Sequence, residues 1–122
     1  MKPACIVLKA RGQSMFPLVP DGSILFFEPD GPIAVGDVIL TQDGDRQLAH
    51  RVVLLHGDTV TTWGDWNRVP DPPVARTRIV GRCVQVRRKG IDISMDLPCV
   101  RVVGRLLARL LPAAKSILHR QG

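Results

Sequence analysis

Ser14, His50, Asp65 and Asp71 are the residues whose types and positions could do hydrolytic chemistry. Ser14 follows an apolar run, Ile6-Val7-Leu8, that reads as a strand. Gly12 lets the backbone turn tightly just before it, and Pro17 restricts the chain just after. A hydroxyl held there is a weak nucleophile until a neighbouring base takes its proton. Of the three histidines, His50 lies inside a long strand-like run, Gln47 to Leu55, whereas His56 falls at a turn and His119 in the tail. His50 is therefore the candidate base. A triad also needs an acid to orient the imidazole and stabilise its protonated form. The loop that follows offers two, Asp65 and Asp71.

The elements that must position these groups are short and rich in Val, Ile and Thr, with ten Pro and eleven Gly between them. That pattern predicts a mainly β fold. Strands are expected at 4–9, 23–27, 38–41, 47–55, 59–63, 78–88 and 91–94, with turns at Asp21-Gly22, Gly36-Asp37, Asp43-Gly44-Asp45, His56-Gly57-Asp58 and Lys89-Gly90. The tail has another period. Val103, Leu106, Leu107, Leu110, Leu111, Ala114, Ile117 and Leu118 follow one helix face over 101–119. Pro112 falls opposite that stripe and predicts a bend that makes the apolar face concave. The division expected is a β catalytic unit over 1–99 and a basic amphipathic helix over 100–122.

A chain of 122 residues with 45% hydrophobic composition can bury one core. The net charge is +6, and residues 101–122 carry +5 of it with no acid. The basic character is thus largely a property of the tail, and no aromatic-basic recognition motif accompanies Arg76, Arg78, Arg82, Arg87, Arg88 and Lys89, which read as a solvated strand face. Three cysteines, Cys5, Cys83 and Cys99, have no metal-type spacing and read as buried free thiols in a reducing compartment. No signal peptide and no apolar run of the roughly 20 residues needed to cross a bilayer is visible, so a cytoplasmic location is expected. Neither metal nor cofactor is called for.

Several blocks of this chain resemble the signal peptidase I superfamily, which includes the self-cleaving LexA-type repressors. Gly12-Gln13-Ser14-Met15-Phe16-Pro17 is similar to its Gly-x-Ser-Met-x-Pro nucleophile box, and Gly36-Asp37-Val38-Ile39 to its Gly-Asp-Val box. His50-Arg51-Val52-Val53 falls on the base block, with the histidine that marks the Ser-His-Asp branch of archaea and the endoplasmic reticulum. Thr62-Trp63-Gly64-Asp65-Trp66-Asn67, through Asp71, resembles that branch's Gly-Asp-Asn-Asn block and its following acid, and Gly81-Arg82 resembles the Val-Gly-Arg block. The blocks run in family order over residues 5–88.

The resemblance implies a small twisted, barrel-like β-sheet domain and a serine endopeptidase. Ser14 would be the nucleophile, His50 the base and Asp71 the orienting acid, with Asp65 the alternative acid. The Ser14 N–H would serve the oxyanion, with the Gln13 side chain as a candidate second donor. Family signal peptidases carry an N-terminal membrane anchor, and this sequence shows none. A precursor peptide or partner protein is therefore the expected substrate, bound as an added strand. A peptide-binding scaffold that keeps the fold without catalysis is the alternative. A basic nucleic-acid-binding module is a weaker third reading. Phe16 and Trp66 flank the catalytic segments as candidate groove residues. The tail stripe is expected to pack on protein, while its basic opposite face also suits peripheral contact with an anionic membrane.

Overall fold

The computed structural model describes residues 5–12, Met15 and 19–121, with side chains described as far as Arg109. Among the described residues eight antiparallel strands form an open sheet, followed by one α-helix. The strands are β1 (Ile6–Lys9), β2 (Ile24–Glu28), β3 (Val38–Asp43), β4 (Arg46–His56), β5 (Thr59–Trp63), β6 (Val74–Ala75), β7 (Ile79–Arg88) and β8 (Ile91–Ser94), and the helix is α1 (Pro98–Gln121). The order across the sheet is β1-β2-β7-β3-β4-β5-β6. β7 is the hub. Its ten residues pair with β2 along one edge, while β3 and then β8 share the other.

The turns are where the glycines put them. β7 and β8 are joined through Lys89 and Gly90, with φ of 49° and 79°. Two positive φ values in succession match the right-handed twist of a tight hairpin. Gly81 serves differently. A Cβ there would lie 2.9 Å from the Glu28 carbonyl oxygen, so β7 and β2 approach closely only because the side chain is missing.

Period-two alternation along β3 splits the core into two clusters. Val38 and Leu40 face Met15, Val19, Leu25, Phe27, Cys83 and Val86, while Ile39 faces Val52 and Val60. The β3–β4 register sets His50 opposite Ile39 and Arg51 opposite Val38. The two neighbours thus project to opposite faces of one central strand.

The helix begins three residues earlier than the tail periodicity predicts, with Pro98 in its first turn, where the missing N–H costs nothing. Its seat also differs. Gly104 and Ala108 are buried, one helical turn apart, whereas the stripe residues Val103 and Leu106 are 42% and 50% exposed and Leu107 is half-buried. The reason is steric. A Cβ on Gly104 would meet the Gly36 carbonyl oxygen at 2.8 Å and Arg51 Nη1 at 2.9 Å, so only small residues can face the sheet here. The stripe, expected to pack on protein in this chain or a neighbour, does not pack on this chain at Val103 and Leu106. Pro112 and the stripe from Leu110 onward lie outside the described side chains. Asp96 ties the helix start down by accepting from both Arg82 of β7, at 2.8 Å, and Arg101 of α1, at 2.9 Å.

The cysteine expectation also changes. Cys83 is buried, but Cys5 and Cys99 are exposed. Burial pushes the Cys83 thiol up to about 12, so it stays protonated and inert near neutral pH.

Candidate functional site

His50 stands near the middle of β4, an interior strand paired with β3 and β5, and is 4% exposed. Its Nδ1 lies 2.6 Å from Oδ2 of Asp71. A carboxylate oxygen can only accept, so neutral His50 carries its proton on Nδ1 and its basic lone pair on Nε2. Asp71 arrives from the loop after β5, and its N–H donates to the Thr62 carbonyl at 2.9 Å. Thr62 also donates from Oγ1 to Asp71 Oδ2 at 2.7 Å.

Asp65 serves a different partner. Arg51 donates from Nε and Nη2 to its two oxygens, at 2.9 and 2.8 Å, and from Nη1 to the Gly36 carbonyl at 2.8 Å. Arg51 is 2% and Asp65 7% exposed. The forked guanidinium matches the carboxylate, so both buried charges are compensated. The sorting follows from strand parity. In the β4–β5 register Val52 pairs with Thr62 and Arg51 with Trp63, which puts Thr62 on the His50 face and Trp63 on the Arg51 face. The loop is held compact by Asn67 N–H on the Gly64 carbonyl and Trp63 Nε1–H on the Asn67 carbonyl, both at 2.9 Å.

Beside His50 lies a cavity of about 440 Å³. Leu8 to Gly12 line one side of it, Gln47 to His50 another, and Met15, Val19, Leu25 and Leu40 lie between. Gly12 adopts φ +80° and its N–H donates to Asp21 Oδ1 at 2.7 Å, while Met15 is buried in the core and its carbonyl accepts from Val19 N–H at 2.9 Å. These contacts fasten the chain on both sides of Gln13 and Ser14, which themselves lie outside the described residues, as does Phe16. Trp66 is 58% exposed and does not line this cavity. Of the expected site residues, the structure therefore brings His50 and Asp71 together and gives Asp65 to Arg51.

Two contributors were not assigned from sequence. Thr62 had only one available signal, a hydroxyl at the buried-face position beside the loop. Gly36 looked like a turn residue but also supplies the carbonyl on which Arg51 and α1 rest.

A β-sheet with a buried histidine–carboxylate pair beside a cavity of about 440 Å³ fits a peptidase-type domain. The model of the family described as Peptidase S24-like matches residues 1–84, and the chain belongs to that family. No curated protein and no solved structure matches the chain.

Proposed function

We propose that this chain is a serine endopeptidase of the Ser-His-Asp type, acting on a precursor peptide or a partner protein. The observation that carries the reading is the His50–Asp71 hydrogen bond at 2.6 Å, beside a cavity that Gly12 and Met15 also line. Asp71 keeps the His50 proton on Nδ1. Nε2 then removes the Ser14 proton and Oγ attacks the peptide carbonyl, with the Ser14 N–H and the Gln13 side chain as the oxyanion donors this reading assigns. His50 returns the proton to the leaving amine, and water, activated by the same imidazole, cleaves the acyl-enzyme. β1 ends the sheet and pairs only with β2 among the described strands. An extended substrate would add along β1 and cross the cavity.

Three unpaired cysteines suit a reducing, cytoplasmic setting. Among the described residues no helix is long and apolar enough to cross a membrane. A second contact is favoured by the outward Val102, Val103 and Leu106 on a helix whose charged residues are all basic. It is peripheral docking of α1 on anionic lipid.

The test is labelling by a fluorophosphonate, with mapping of the modified residue. Phosphonylation of Ser14 that is lost in His50→Ala supports the reading. A folded chain that resists the reagent across neutral pH favours a peptide-binding scaffold.

A further inference from the structure

One residue grips Asp71 twice. The Thr62 carbonyl accepts from Asp71 N–H at 2.9 Å, and Thr62 Oγ1 donates to Asp71 Oδ2 at 2.7 Å. That same Oδ2 accepts from His50 Nδ1–H. Thr62 is 4% exposed, pairs with Val52 and shares the face of Val60. A hydroxyl at such a position costs free energy unless it finds a partner, and a valine would fill the same volume without that cost. The partner it has is the acid of the histidine pair.

We infer that Thr62 is a positioning residue for the peptidase site, its hydroxyl holding Asp71 Oδ2 aimed at His50 Nδ1. The inference rests on the peptidase reading above. Asp71 belongs to a loop and keeps 13% of its side chain exposed, so it has both the freedom and the water to turn away. The backbone bond fixes where Asp71 starts, and the hydroxyl bond fixes where its carboxylate points. A fixed Asp71 acceptor keeps the Nδ1–H tautomer, which leaves the basic nitrogen on the other side of the ring.

The experiment uses the full chain with Thr62→Val, Thr62→Ala and Thr62→Ser. Two quantities are read: the rate of Ser14 phosphonylation by a fluorophosphonate, and the low-field proton resonance of His50 Nδ1–H. Loss of one hydrogen bond to a carboxylate is expected to slow phosphonylation by about 10- to 100-fold in Thr62→Val and Thr62→Ala. The resonance should broaden or move upfield in both, and Thr62→Ser should restore rate and resonance. Should Thr62→Val fail to fold, the Ala and Ser pair still separates hydroxyl from volume. Unchanged rate and resonance in a variant lacking the hydroxyl overturns the inference. So does a loss that tracks thermal stability and is not rescued by serine. If the unsubstituted chain resists phosphonylation, the peptidase reading fails, and the resonance alone decides whether Thr62 holds the pair.

Discussion

Asp71 reaches His50 across 2.6 Å, although 21 residues separate them in the chain, while Asp65, six residues nearer in sequence, turns to the opposite face of β4. The two acids of one loop therefore have different work, one on an imidazole beside a groove and one on a buried guanidinium. Their substitutions should have different signatures.

Asp71→Asn keeps the shape but cannot hold the Nδ1–H tautomer or stabilise the imidazolium. The expected result is a fall in cleavage rate of up to about 10⁴ with little change in Tm. Asp65→Asn leaves Arg51 buried with its charge uncompensated, which should destabilise the fold by about 3–5 kcal/mol. Parallel rate assays and thermal melts separate the two.

Ser14→Ala and His50→Ala should each abolish cleavage, and the double variant should be no worse than either, because the groups act as a unit. Peptides that accumulate when Ser14 is replaced identify the substrate. Undiminished cleavage by a folded Ser14→Ala chain would remove the nucleophile assignment.

Gly104→Ala sets two effects against each other. Alanine favours a helix interior by about 1 kcal/mol over glycine. Its Cβ, however, would stand 2.8 Å from the Gly36 carbonyl oxygen, which is backbone and cannot swing aside. Overpacking of about 1–3 kcal/mol should win, and chemical denaturation should show a net loss of stability.

Asp96 gives the acid limb of stability a definite sign. Its hydrogen bond to Arg82, with help from Arg101, holds its carboxyl below the usual carboxylate range. The contribution is complete above the unfolded carboxylate value of about 4 and is lost as pH falls through the lowered folded value. Asp96→Asn should flatten the dependence of Tm on pH in that window and lower the Tm above it, where the contribution is complete.

The outward face of α1 can be tested without truncating the helix. Val103 and Leu106 are exposed, so Val103→Glu with Leu106→Glu should leave the Tm nearly unchanged. The unsubstituted chain is expected to float with anionic vesicles at low salt and to be released by higher salt, and the double variant is expected to stay behind. Equal flotation of both would place lipid contact elsewhere.

The strands were legible because alternation, β-branched residues and glycine turns are local signals, and all the long strands stand where those signals lie. The helix was legible for the same reason, its period of three to four being written in Val103, Leu106 and Leu107. The sequence also determined which residue types could do chemistry, since a hydroxyl, an imidazole and two carboxylates can be read by inspection. What it left open was pairing. Asp65 and Asp71 have the same side chain and nearly the same loop, and the family resemblance favoured Asp71 without showing what Asp65 holds. Only the β4–β5 register, which turns Thr62 to one face and Trp63 to the other, sends Asp71 to His50 and Asp65 to Arg51. The seat of α1 was decided in the same way. Hydrophobic spacing points to Val103 and Leu106, but the Gly36 carbonyl and the Arg51 guanidinium come too close for any side chain, and the tertiary contact selects Gly104 and Ala108 instead.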